Sequence, residues 1–456
     1  MKTKEIDMLN GNIVKSVLLF TIPMMLSGIL QSLYNAADMI VVGQFVGDNA
    51  LAAVGATATI YGVIINLFMG FSVGIDVVCS FCHGAGDEDG VRETVHTAVI
   101  AALILGAGVF FVGWFATPAL LTLMKTPTEA GVYDGAVTYL RIVFIGAPFT
   151  VFYNFCAAIL RTAGDTRRPF FYLASCGALN VVLNIFFVTV CQMGVAGVAT
   201  STALTQGLSA LLIFVRLCRM GGIFSFSFRH LRFSASRFTR IFYIGILAGV
   251  QNAIFSISNS FLQSAVNTFG PAAMAGNTAV DTVENLLWVT CSSFQYAAVT
   301  FISKNVSAGK PERVRKIFLV TLLFAVGTAL FFGGICRLFA RTVISVFIRG
   351  GEEAMTYALG RASITFPLYF LAGCMSVLPS VIRGLGHSVS PTIVNLVTVC
   401  GVRIGWVYTV FRLFPRISTL YIVHPLTWAL TSAVLLIIYF VNYRRFVKTV
   451  TPAPAV

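Results

Sequence analysis

The chain is 456 residues long, 57% hydrophobic and only 11% charged, where a soluble domain carries about 25% charged residues. With a mean hydropathy of +0.87, this excludes a soluble globular protein, and the length accommodates about twelve membrane-crossing helices. The net charge of +14 does not mark a nucleic-acid partner, because the basic residues fall in the links between apolar runs, where topology accounts for them.

In chain order, apolar runs at 14–42, 50–81, 93–116, 136–160, 169–190, 195–217, 238–267, 272–303, 315–336, 355–382, 391–411 and 418–441 predict twelve spans. Several are long enough to tilt or to project past the bilayer. The start has the charge bias of a signal peptide, but its apolar stretch is too long and no small-residue cleavage site follows, so it reads as a retained first span. That span carries Gln31, Asn35 and Asp38 on one helical stripe. In lipid, the Asp38 carboxylate costs a few kcal/mol unless it faces a partner or a water-filled cavity. Asp48 and Asn49 follow as expected helix caps. The second span holds Asp76, without a polar stripe, and ends in CSFCH at 79–83. This matches a haem-attachment pattern but is set aside because it lies on the cytoplasmic side.

Span five carries Asn180 and Asn184 one turn apart. Span seven carries Asn252, Ser256, Asn259, Gln263 and Asn267, and span eight carries Asn277, Asp281, Glu284, Asn285, Ser292 and Gln295. Together with span one, these helices are expected to line a polar cleft. Arg403 in span eleven is placed either to neutralise Asp281 or Glu284, or to snorkel outward. The Lys and Arg bias of the loops puts both termini in the cytoplasm. Ten cysteines, scattered almost one per span, read as small hydrophobes and give no disulfide framework.

The chain also repeats itself. ILRTAGDTRRP at 159–169 aligns with VIRGLGHSVSP at 381–391, HGAGDEDGVRE at 83–93 with VSAGKPERVRK at 306–316, and GDNALAAVGATA at 47–58 with GPAAMAGNTAVD at 270–281. The fold expected is therefore an all-α polytopic membrane protein of two parallel six-helix lobes around a central cleft. The N-lobe is 1–220, the basic cytoplasmic linker 221–240 and the C-lobe 241–456. Gly84, Gly86, Gly164, Gly309 and Gly386 permit the turns that reverse the chain, and Pro169, Pro311 and Pro391 fit the first turns that follow. Transporters of repeat architecture place substrate and coupling ions at the lobe interface. A desolvated carboxylate there can hold a proton or Na⁺ that is exchanged as the cavity opens to the other side.

IPMMLSGILQSLYNAADMIVVGQFVGDNALAAVG in span one, LRTAGDTRRP after span four, GVAGVATSTALTQ in span six and TFISKNVSAGKPERV after span eight resemble, in their order and spacing, the multidrug and toxic compound extrusion (MATE) transporters. The likeness is to the prokaryotic branch with an Asp in its first helix, and to the MepA-like subgroup. It implies secondary active export of small organic cations, coupled to inward H⁺ or Na⁺ by alternating access. It also implies a multi-pass monomer in a bacterial or archaeal plasma membrane, with no cofactor and no nucleic-acid partner. By the same resemblance, the ion-coupling site carries over to Asp38, Asn180 and Thr202. At Asn184 many relatives have a second Asp, so this chain holds one charge fewer, and the choice between H⁺ and Na⁺ at Asp38 stays open. The substrate cleft expected is Gln31, Asn35, Asn252, Asn259, Gln263, Asn277, Asp281 and Glu284, the last two also being coupling candidates.

The rival reading is a flippase or exporter of a lipid-linked or other amphipathic metabolite in the same superfamily. An anionic diphosphate head would need a cleft lined with Arg and Lys, whereas this one reads as acidic and amide-rich. An enzyme is not expected: the five histidines lie mostly at span ends and in loops, and neither HExxH nor GxSxG occurs.

Overall fold

In the computed structural model, residues 6–124, 131–348 and 351–450 are described, with the side chains at 48, 51, 52, 56, 58, 59 and 230 left aside. The first half comprises α1 (Ile13–Phe45), α2 (Asp48–Gly84), α3 (Glu88–Leu123), α4 (Val132–Thr162), α5 (Arg167–Ile185, extended by a π-helical turn, Phe186–Val190) and α6 (Val195–Cys218). The second half comprises α7 (Ala235–Asn267), α8 (Pro271–Ser292), α9 (Phe294–Ser307), α10 (Pro311–Leu338), α11 (Ala340–Ser345), α12 (Gly351–Thr365), α13 (Tyr369–Gly384) and α14 (Val389–Asn395). A π-helical segment, Leu396–Gly401, then leads into α15 (Val402–Tyr408), α16 (Val410–Leu413) and α17 (Ile417–Val450).

The architecture is all-α and polytopic. Among the described residues, eleven helices are long and apolar enough to cross a membrane, and α12 with α13, bent by 57° at their break, supply a twelfth span. The helices run a few residues past the apolar runs at most ends, because capping and first-turn residues are polar and carry no hydropathy signal. Asp87 shows this at α3, where its side chain accepts the Gly90 amide at 2.8 Å while Glu88 and Asp89 occupy the first turn. At α2 the expectation shifts by one residue: the helix begins at Asp48 and its cap is Gly47, which makes no side-chain cap bond. The Asp48 side chain lies outside the described residues.

The internal repeat is written into the backbone. Gly47 and Gly270, Gly86 and Gly309, and Gly164 and Gly386 pair by the alignment, and all six have φ between +65° and +113°. That region is open to glycine at little cost, so the same turns recur where the sequence repeats. Gly84, by contrast, is the last residue of α2.

Packing divides the described residues into two compact units, unit 1 with Ile6 and Leu26–Gly249, and unit 2 with Asp7–Met25 and everything from Val250. Both boundaries fall inside long helices. In unit 1 the first half of α7 lies against α2 with almost no side chain between: a Cβ at Gly70 would stand 2.2 Å from the Gly249 nitrogen, and one at Gly245 would stand 2.7 Å from the Phe71 Cα. Small residues at the crossing let two membrane helices approach backbone to backbone. In unit 2 the first half of α1 is held by Phe20, edge-on to Phe301 at 5.4 Å. The segment 221–234 is anchored on unit 1 by buried Phe224 and Phe226, and by the Ser234 amide donating to Thr97 Oγ1 at 3.1 Å.

Candidate functional site

Unit 1 gathers Asp38, Asn180, Asn184 and Thr202 into one cluster. Its geometry starts at Gly177, where a side chain on α5 would collide with the Tyr34 ring, so α1 and α5 lie in contact, and the Tyr34 hydroxyl donates to the Ala174 carbonyl at 2.9 Å. One and two turns further along α5, Asn180 and Asn184 face α1 and α6. The Asn184 amide donates to Asp38 Oδ1 at 2.5 Å and to Asn180 Oδ1 at 3.3 Å. The Asn180 amide in turn faces the hydroxyls of Ser201 and Thr202 at 3.4 Å and of Thr205 at 3.5 Å on α6. The Ser201 hydroxyl donates to the Asn184 carbonyl oxygen.

The cluster is therefore one carboxylate among amides and hydroxyls. Among the described residues Asp38 makes no ion pair. Gln31 and Asn35 are exposed on α1 and stand apart from its hydrogen bonds. Ser201 and Thr205 are the members that sequence reading missed. Their signal was present in VATSTALT, where the hydroxyls recur at helical spacing.

Unit 2 holds a second, charged network. Gln263 Nε2 donates to Asn267 Oδ1 at 2.9 Å, and Asn277 Nδ2 donates to Gln263 Oε1 at 2.5 Å and to Asp281 Oδ2 at 3.1 Å. At its centre Arg361 of α12 donates through Nη2 to Asp281 Oδ1 at 2.5 Å and Glu284 Oε2 at 2.6 Å, and through Nη1 to Asn277 Oδ1 at 2.5 Å. Arg361 is 2% exposed, Glu284 10% and Asp281 49%, so the pairing is desolvated at Glu284 and open at Asp281. The Tyr369 hydroxyl donates to the Glu284 carbonyl at 2.7 Å and fixes α13 against α8.

This corrects the expectation for Arg403. The cation that neutralises Asp281 and Glu284 is Arg361, and Arg403 is neither their partner nor directed outward. Arg403 is wholly buried, donates to Asn259 Oδ1 at 2.6 Å and Thr427 Oγ1 at 3.3 Å, and lies 5.3 Å over the Phe255 ring. Asn259 thus belongs with Arg403, not with the Gln263, Asn277, Asp281 and Glu284 network. Asn252 is exposed on α7 and joins neither group.

Asp76 is a structural ion pair. Arg161, beyond the end of the fourth apolar run, reaches back from the last turn of α4 to bind both its oxygens, at 3.3 and 2.8 Å. Of the CSFCH run, Cys79 and Cys82 are buried, and all ten cysteines are unbridged.

Set beside known proteins, the chain matches the MatE family model over residues 23–186 and 248–409. It is similar to the "Probable multidrug resistance protein YpnP" of Bacillus subtilis, 27% identical over 87% of this chain and 88% of that one. It is also similar to a "FAD transporter" of Shewanella oneidensis, 23% identical over 64% of this chain and 65% of that one. Among solved structures, a MATE protein crystallised in a bent conformation superposes with a TM-score of 0.91 at 23% identity, covering 99% of this chain and all of the other, which establishes likeness of fold.

Proposed function

As a member of the MatE family the chain is a membrane transporter and not an enzyme, and we propose that it exports small organic cations from the cytoplasm by alternating access, coupled to inward H⁺ or Na⁺ at Asp38. In this reading it works as a monomer in a bacterial or archaeal plasma membrane with both termini cytoplasmic. The observation that carries the reading is the Asp38 environment: a carboxylate inside a span whose hydrogen-bond partner, Asn184, is neutral. A carboxylate inside a span without a cationic partner is costly, and a proton, Na⁺ or cationic substrate removes that cost when it binds.

The remaining residues have definable parts. Amide and hydroxyl oxygens of Asn180, Asn184, Ser201 and Thr202 supply neutral oxygen donors suited to a hard monovalent cation. The Asn184 amide, which now donates to Asp38, would turn its oxygen inward when an ion takes its place. With Asn184 neutral, Asp38 is the one carboxylate in this cluster. In unit 2, Asp281 is half exposed beside Arg361 and is the secondary coupling candidate.

The test is fluorescent-cation efflux from proteoliposomes under separate Na⁺ and pH gradients, for wild type and Asp38→Asn. The variant is expected to fold and to lose gradient-driven efflux. Coupled efflux that persists in Asp38→Asn would overturn the Asp38 assignment and move the coupling to Asp281 and Glu284.

A second reading, export of an amphipathic metabolite with an acidic group, is favoured by one observation. Arg403 is a buried guanidinium in unit 2 with amide and hydroxyl partners, and a relative at 23% identity bears the name "FAD transporter".

A further inference from the structure

The charges inside unit 2 do not balance. Arg361, Arg383 and Arg403 are all buried in its spans, and among the described residues it is Arg361 that pairs with the intramembrane carboxylates Asp281 and Glu284. Arg403 makes its two side-chain bonds to neutral oxygens, Asn259 Oδ1 at 2.6 Å and Thr427 Oγ1 at 3.3 Å, and its buried Nη2 has no hydrogen-bond partner. Glu284, Arg361 and His424 lie near enough to act on Arg403 electrostatically. Of these, the one carboxylate is already held by Arg361. A guanidinium buried within a span without a counter-charge is expensive, and such groups face a partner or a pathway.

What stands in front of Arg403 has the form of a subsite. Asn259, which caps Nη1, is exposed on α7. Phe255, one turn away on the same helix, lies under the guanidinium at 5.3 Å and stacks on Trp288 of α8, with centroids 5.7 Å apart and planes at 19°. Both rings are partly exposed. An aromatic pair beside a guanidinium fits a flat ring carrying an acidic group: the ring adds to the stack, and the carboxylate or phosphate takes the guanidinium donors in a charge-assisted pair. The exchange is balanced in hydrogen bonds, since an entering oxyanion replaces the Asn259 amide oxygen at Nη1 and also meets Nη2.

We propose that Arg403, with Asn259 and the Phe255 and Trp288 rings, is a subsite for the acidic group of an amphipathic aromatic substrate. The proposal rests on the second reading above, export of an amphipathic metabolite with an acidic group, and names its substrate class for unit 2: aromatic carboxylates and phosphates, including zwitterions. Asn259 is the neutral cover that pairs Arg403 Nη1 between transport cycles.

Three ring-matched probes separate charge from shape: 2-naphthoate, 2-naphthamide and 2-naphthyltrimethylammonium, with binding measured by scintillation proximity on the full chain in nanodiscs. Wild type is expected to bind the carboxylate about tenfold tighter than the carboxamide, the scale of a charge-assisted bond over a neutral one. Arg403→Gln should bring the two within about twofold while leaving the trimethylammonium probe unchanged, and Asn259→Ala, which removes the competing acceptor, should tighten the carboxylate. Equal binding of carboxylate and carboxamide by wild type overturns the proposal. So does an equal loss of all three probes in Arg403→Gln combined with unchanged carboxylate binding in Asn259→Ala, because Arg403 would then be scaffold alone. The readout is binding without a gradient, so it is independent of efflux in Asp38→Asn, and the two readings fail separately.

Discussion

Asp76 and Arg161 offer the sharpest energetic test of what an intramembrane carboxylate is for. The Asp76 side chain is 0% exposed and that of Arg161 5%, and two donors of the guanidinium meet the two carboxylate oxygens at 3.3 and 2.8 Å. Replacing Arg161 by Met leaves the carboxylate desolvated and uncompensated, at a cost of about 3–5 kcal/mol. At about 1.4 kcal/mol per decade, that lowers the folded ratio by roughly 10²- to 4 × 10³-fold. Replacing both, as Arg161→Met with Asp76→Val, removes the two charges together and is expected to come within about 1 kcal/mol of wild type, or above it. Val is the natural choice, since Val299 occupies the aligned position in the second repeat. The assay is a double-mutant cycle on unfolding in mixed micelles, with gradient-driven efflux measured for every variant that folds. A double variant as unstable as Arg161→Met, or one that is stable but inactive, would refute the structural assignment of Asp76.

Two further predictions concern the proposed coupling site and the N-terminal segment. Asn184→Asp places a second carboxylate where the amide now stands 2.5 Å from Asp38. Like charges so close cannot both go uncompensated, so the variant should require less Na⁺ for half-maximal efflux, or move an additional proton per cycle, read from the gradient dependence in proteoliposomes. Asp7 accepts the amides of Asn10 at 2.9 Å and Leu9 at 3.0 Å, and the Asn10 bond leads the effects that hold its carboxyl below the ordinary value of 3.8, with Arg313 contributing. A carboxylate depressed by folding stabilises the turn at pH above its unfolded value, and that stabilisation is lost as pH falls through the lower, folded one. Protection of the Leu9 and Asn10 amides, measured as exchange relative to the unfolded-chain rate at each pH, should therefore fall on acidification below about pH 4, and Asp7→Asn should remove that pH dependence while leaving both amides weakly protected.

The spans were legible because a run of about twenty apolar residues is what a helix needs to cross a bilayer and more than a helix on a soluble core can bury, and the twelve runs each contain a helix or a bent pair. The repeat was legible because glycine at the reversing turns is a backbone requirement. Partners across helices were harder. Periodicity fixes which face of a helix a residue lies on, but not which neighbouring helix meets that face. Arg403 and Arg361 both lay within apolar runs of the second half, and it is the packing of α12 against α8 that brings Arg361 to Asp281 and Glu284. Asp76 lacked a polar stripe because its single partner comes from another helix, and Arg161 reads as a loop residue because α4 continues past the apolar run that ends at 160. The unit 1 cluster was read more completely, since Asn180 and Asn184 share one helix and Asp38 and Thr202 stood in the motifs of the family resemblance.

The aligned turns also expose where the two repeats part. Arg383 stands where unit 1 has Arg161, and Val299 where it has Asp76. Arg383 is buried and takes a neutral partner from α7 instead, donating through Nη2 to Gln251 Oε1 at 2.5 Å. If the repeats place these positions alike, a carboxylate at 299 should reach Arg383 as Asp76 reaches Arg161. Gly384 supports the proximity, since a Cβ there would stand 2.8 Å from Ile302 Cγ2, one turn along α9 from Val299. Val299 is 1% exposed, so Val299→Asp buries a charge whose cost depends on whether a guanidinium answers it. The variant should lie within about 2 kcal/mol of wild type when Arg383 is present and about 3–5 kcal/mol lower in an Arg383→Met background. An equal penalty in both backgrounds would mean that the repeat preserves the turns without preserving the helix faces, and that the buried charges of each unit were placed independently of the other.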